Sequence, residues 1–133
     1  GCSKSWTRIV PGMFAGSGPQ TTHLLSYDAT NGIGQLWKTD GKGGISAMGA
    51  AMTFRSTWSQ IVPGNGGSST SVPLIFYDAS RAEVALYSVT SQGAIGAIGS
   101  QTGMPKDWTQ IAARAMWTAS YNVYLFCYSP TGG

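Results

Sequence analysis

Ser5-Trp6-Thr7-Arg8-Ile9-Val10-Pro11-Gly12 returns as Thr57-Trp58-Ser59-Gln60-Ile61-Val62-Pro63-Gly64 and, more worn, as Asp107-Trp108-Thr109-Gln110-Ile111-Ala112-Ala113. The tryptophans stand 52 and 50 residues apart, and self-similarity at a fixed period marks a repeat architecture. Working outward, a second block follows in register: Leu24-Leu25-Ser26-Tyr27-Asp28-Ala29, Leu74-Ile75-Phe76-Tyr77-Asp78-Ala79 and Leu125-Phe126-Cys127-Tyr128-Ser129-Pro130. A third pair, Gly34-Gln35-Leu36-Trp37-Lys38-Thr39 and Val84-Ala85-Leu86-Tyr87-Ser88-Val89, precedes Gly44-Ile45-Ser46-Ala47-Met48 and Ala94-Ile95-Gly96-Ala97-Ile98. The third copy has no counterpart of either. The repeats therefore run over about 5–56, 57–106 and, truncated, 107–130, within one β-repeat domain spanning 1–133.

Each block is short, rich in β-branched and aromatic residues, and alternates with a period of two, as in Leu36 and Lys38 against Trp37 and Thr39. These are strands. Thr30-Asn31-Gly32, Asp40-Gly41-Lys42-Gly43-Gly44 and Ser91-Gln92-Gly93 supply the turns between them. The segments Gly49-Ala50-Ala51-Met52 and Ile111-Ala112-Ala113-Arg114-Ala115-Met116 have helical propensity, but the second falls where the repeat demands a strand, and register outranks propensity. The fold class is all-β, in propeller-like four-stranded antiparallel meanders, two full and one truncated. Two and a half such blades cannot close a ring, since propellers have about four or more. Completion by oligomerisation is the expectation.

The order Trp-x-x-Ile-Val-Pro-Gly, Leu-Leu-x-Tyr-Asp, then Gly-x-Gly-x-Leu-Trp-x-Thr-Asp-Gly resembles the repeat of bacterial propeller lectins related to the fucose-binding lectins of Photorhabdus, and more loosely the tachylectin-2 type. The resemblance covers nearly all of residues 5–129. It implies carbohydrate sites in the clefts between repeats, walled by aromatic side chains, with glycans, fucosylated ones among them, as partners. The copies depart from one another: Thr90-Ser91-Gln92-Gly93 replaces the Asp-Gly-x-Gly-Gly turn, and Ser129 stands where the others have Asp28 and Asp78. Not every cleft can be equivalent.

Composition narrows the function. Only 10% of residues are charged, the net charge is +3, and the eight cations are scattered without a run, unlike a nucleic-acid groove. No stretch approaches the length of a membrane-spanning helix, so membrane insertion is not expected. The N-terminus shows no signal-peptide pattern, so any export signal has been removed or was never there. With one histidine, His23, and five acids, Asp28, Asp40, Asp78, Glu83 and Asp107, no repeated acid–base pair or metal cluster can be assembled; the position equivalent to His23 is Pro73. No enzyme, metal or cofactor is expected. Asp28 and Asp78, each closing a strand before a turn, fit backbone-capping roles. Cys2 and Cys127 are the only cysteines. Two readings stay open: a disulfide, within or between chains, or a buried free thiol at Cys127.

Five tryptophans and six tyrosines remain to be explained. Trp6, Trp58 and Trp108 open each copy and are expected in the core between repeats. Trp37 and Tyr87 occupy one repeat position in the third strand, and aromatic faces suit the C–H faces of sugars. The expected ligand wall is Trp37, Tyr87 and Trp117, with Asp40 and Arg8 or Arg114 as polar partners. The expected function is a secreted or cell-surface, homo-oligomeric carbohydrate-binding module. Two alternatives stand beside it: a self-assembling structural protein that uses the unpaired half repeat, and a fragment or design derived from a larger propeller.

Overall fold

A computed structural model describes residues 5–13, 21–64, 73–115 and 123–131. Among them there is no helix, so none long and apolar enough to cross a membrane. Ten strands form three antiparallel sheets. Unit one pairs β1 (Arg8–Gly12), β2 (His23–Asp28), β3 (Ile33–Thr39) and β4 (Ile45–Thr53) in sequence order. Unit two does the same with β5 (Gln60–Pro63), β6 (Leu74–Asp78), β7 (Glu83–Val89) and β8 (Ile95–Thr102). Unit three is the pair β9 (Gln110–Ala115) and β10 (Val123–Tyr128). The alanine-rich run in β9 is extended, as register required, and Gly49–Met52, which the repeat does not assign to a strand, is extended too as the end of β4: pairing with a neighbouring strand outweighs a helical propensity of a few tenths of a kcal/mol per residue, roughly.

Alternation along each strand gives every unit a forward face, toward the next unit, and a rear face. Val10, Leu25, Tyr27, Leu36 and Met48 of unit one pack forward onto Trp58, Ile61, Leu74, Phe76, Ala85 and Val89 on the rear of unit two, forming one buried core. Ile75, Tyr77 and Val84 of unit two pack forward in a second core with Ile111, joined by the half-buried Trp108, Ala113 and Cys127 of unit three. Neighbours in β6 thus serve opposite cores, which is why all five of its residues are buried. Fully burying a side chain of this size contributes roughly 1.5–3 kcal/mol, so the cores that bind the units together dominate the stability.

The polar repeat positions stitch the same seams. Tyr27 donates its hydroxyl to the Arg55 carbonyl and Tyr77 donates to the Pro105 carbonyl, both at 2.6 Å. Each acceptor lies three residues before the tryptophan of the next unit. Gln60 reaches from unit two into unit three, donating Nε2 to the Trp108 carbonyl and accepting from the Ile111 N–H. Within each unit the hydroxyl after the tryptophan ties the first strand to the end of the second: Thr7 donates to the Tyr27 carbonyl and accepts from Ala29 N–H, Ser59 accepts from Ala79 N–H, and Thr109 donates to the Tyr128 carbonyl.

Asp28 accepts from the backbone of Thr30 and Asn31 and from the Asn31 amide, and Asp78 accepts from Ser80, Thr57 and the Arg81 N–H. In unit three the two partners have exchanged roles. Asp107, at the position of Thr57, accepts from Ser129, at the position of Asp78, and from Thr131. The departure at Ser129 is therefore compensated locally.

Candidate binding cleft

The seam between units one and two opens into a cleft of about 610 Å³ lined by Met52, Thr53, Phe54, Arg55, Tyr87 and Ile95. Its first wall is the end of β4 and the link to β5; its second is the third and fourth strands of unit two. Phe54 sits edge-on to Tyr87, with centroids 5.9 Å apart, and stacks on Phe76 at 5.3 Å. Tyr87 also meets Phe76 at 4.7 Å and Trp58 at 6.4 Å. The ring is fixed from three sides, and a register shift between Leu86 and Tyr87 against β8 sets its direction locally. Burial raises the Tyr87 pKa, so its hydroxyl is a neutral donor and acceptor at physiological pH.

Arg55 supplies the charge. Its Nη1 donates to Glu83 Oε2 at 2.7 Å and lies 3.8 Å from Asp78 Oδ2, while its guanidinium carbon rests 4.1 Å from the centre of the Trp58 ring. The hydrogen bond to Glu83 raises the arginine pKa and lowers that of Glu83. Asp78 is pushed up by burial but held below the usual carboxylate range by Ser80, Thr57, Arg81 and Arg55, which outweigh it. Both carboxylate contacts use Nη1, so the donors on Nε and Nη2 are not spent on them, and the side chain is about a third exposed. A guanidinium held over an aromatic ring can donate paired hydrogen bonds to adjacent hydroxyls of a ligand.

The structure divides the residues read as one wall. Tyr87 lines the cleft, but Trp37 lies on the rear face of unit one, half-buried, donating Nε1 to Ser26 Oγ at 3.0 Å and meeting Trp6 edge-on at 6.4 Å. The two share a repeat position, but unit one stands behind Tyr87, and among the described residues no unit stands behind Trp37. Asp40 is exposed and accepts from the backbone N–H groups of Lys42 and Gly44, both at 2.8 Å. Those bonds lower its pKa, and it organises the β3–β4 turn. Arg8 is exposed on β1 opposite Tyr27, and Arg114 is exposed on β9 opposite Tyr124. Trp117 lies outside the described residues. Cys127 is a free thiol, half-buried and with its pKa raised by burial, while Cys2, its candidate partner, lies outside the described residues. Of the opening tryptophans, Trp58 is buried and Trp6 and Trp108 are half-buried.

Phe54 and Arg55 carry much of the cleft, and reading by repeat passes over them. Their counterparts are Met104 and Pro105, so neither recurs, and Arg55 looks like one more scattered cation until Glu83 and Trp58 are placed around it. Between units two and three the equivalent space is different in kind. Because β9 and β10 cover only part of the forward face of unit two, a groove of about 550 Å³ is left there, lined chiefly by Ile75, Val84, Leu86, Ile98, Met104 and Leu125. Among the described residues no cluster of three His, Cys, Asp or Glu side chains is placed to hold a metal ion. Compared with family models, curated proteins and solved structures, the chain matches none.

Proposed function

We propose that the chain is a carbohydrate-binding, lectin-like module of propeller-like stacked sheets, and that its sugar site is the cleft between units one and two. The observation that carries this reading is the lining itself: the Tyr87 and Phe54 rings stand beside the Arg55 guanidinium and the Thr53 side chain in an open cleft at a repeat seam. A pyranose offers the matching surfaces, an apolar C–H face for a ring and vicinal hydroxyls for paired donors. The cleft takes one or two sugar units at its volume, and a site this open and this shallow binds weakly and gains by presentation of several copies.

The test is a glycan array followed by calorimetry on the hits, fucosylated glycans included. Arg55→Met keeps much of the packing of the stem over Trp58 and removes the donors. Losing hydrogen bonds from a charged group costs about 1.5–3 kcal/mol, so affinity falls roughly ten- to a hundredfold. An array without a hit, or a variant that binds as tightly as the parent, overturns the assignment.

A further inference from the structure

We propose that the forward face of unit three docks on the rear face of unit one in a second copy of this chain, so that the protein associates head to tail. The inference does not rest on sugar binding. It follows from the seams already built inside one chain, in which β1 contacts β5 and β5 contacts β9, each time forward face on rear face.

Unit three carries the forward-face equipment a third time, without a unit in front of it among the described residues. Tyr128 stands at the position of Tyr27 and Tyr77, whose hydroxyls each bond to the unit ahead; those two are fully buried, and Tyr128 is 59% exposed. Phe126, at the position of Leu25 and Ile75, is 56% exposed against 0% and 1%. Gln110 repeats Gln60, which bridges to the tryptophan carbonyl and the isoleucine N–H of the following unit. Register places Gln110, Ala112, Arg114, Tyr124, Phe126 and Tyr128 on one face, and all are exposed. Unit one carries the matching rear face, which is open along its first strand. Ile9, which matches the buried Ile61 and Ile111, is 61% exposed, and Pro11 beside it is exposed too.

A single chain thus holds, in the two strands of unit three and the first strand of unit one, the counterparts of first-strand contacts that it forms twice internally. Homologous contacts then place Gln110 against the Trp6–Ile9 segment of the second copy, and Phe126 against Ile9. Because the two patches differ, the contact is heterologous and generates a closed ring or an open filament rather than a two-fold dimer.

The test uses light scattering on a sizing column with the full chain under reducing conditions, so that cysteine bridging cannot contribute. The wild type should rise above the 13.9 kDa of one chain as its concentration increases. Phe126→Arg blocks one face and Ile9→Arg the other. Each should run as a monomer with an unchanged circular dichroism spectrum, since both side chains are exposed. Mixed one to one, the variants should form a particle of two chains and no larger, because each retains the face the other has lost. If either variant misfolds, Tyr128→Glu and Pro11→Glu probe the same two faces. A wild type that stays monomeric at millimolar concentration overturns the proposal. So does a pair of variants that fails to recombine, or a dimer that survives Ile9→Arg by pairing the outer edge of β10 with itself.

Discussion

Replacing Tyr77 with Phe deletes one oxygen atom, and the repeat makes it possible to say what that atom contributes. Its hydroxyl donates to the Pro105 carbonyl across the seam between units two and three, at 2.6 Å, from a fully buried ring. Pro105 is exposed, so water can reach its carbonyl once the hydroxyl has gone. The cost is then the net value of a hydrogen bond, about 1 kcal/mol, rather than the larger penalty of a stranded acceptor. Tyr27→Phe removes the matching bond to Arg55, whose carbonyl belongs to a half-buried residue, and should cost somewhat more. The two sites serve different seams, so the double variant should lose the sum, roughly 2 kcal/mol. Tyr128→Phe is the control: its ring is exposed, with no unit in front of it among the described residues, and in dilute solution the change should stay within about 0.5 kcal/mol. Urea denaturation of the wild type and the four variants at low micromolar concentration measures this directly, and thermal melting gives shifts on the order of 3–5 °C per kcal/mol at this chain length. If Tyr128→Phe in dilute solution costs as much as Tyr77→Phe, the value of the tyrosine does not come from the seam, and the reasoning fails.

Backbone geometry and pH give further outcomes. Ala82 holds a φ of 54° at the position of Gly32, whose φ is 65°, so Ala82→Gly should stabilise the chain by up to about 1 kcal/mol, read as a higher melting temperature. Gly32→Ala should be far worse than Gly41→Ala: both positions have positive φ, but a Cβ at Gly32 would lie 2.3 Å from the Phe54 carbonyl oxygen, whereas nothing lies within 4 Å of one at Gly41. Asp28, Asp40, Asp78, Glu83 and Asp107 all have lowered pKa values when folded, so their contribution is complete above the unfolded carboxylate range near pH 4 and is lost as pH falls through the folded values. Burial lowers the pKa of His23, so in the unfolded chain it gains its proton first and a shallower loss of stability begins as pH drops below about 6.5. Melting curves from pH 8 to 3 should show both phases, and His23→Gln should remove only the upper one.

The strands were legible because the sheet pattern repeats. Three copies of Trp-x-x-Ile and of the tyrosine strand set the register, and two copies of the later strands set the meander, strongly enough to override the helical propensity of the run from Ile111, though not to carry the fourth strand on through Gly49–Met52. The capping role of Asp28 and Asp78 was legible for the same reason. The cleft was not. Phe54 and Arg55 lie between units, where the copies diverge, and their meaning depends on Glu83, Trp58 and Tyr87 arriving from elsewhere in the chain. Trp37 and Tyr87 illustrate the opposite error. Equivalence in sequence put them in one wall, but equivalent residues in stacked units face successive seams, so the more faithful the repeat, the further apart its equivalent side chains lie. Asp40, read as a polar partner of that wall, uses Oδ1 to hold the Lys42 and Gly44 N–H groups of its own turn, a role that the turn sequence alone did not single out.

The most direct measurement is amide and side-chain chemical-shift mapping on the labelled protein during titration with the strongest glycan from the array. The changes should gather on Met52–Arg55, Tyr87 and Ile95, with the Trp58 indole moving through its contact with Arg55. Shifts confined to the exposed strands of unit three, or to the turns of unit one, would contradict a sugar site at the seam between units one and two.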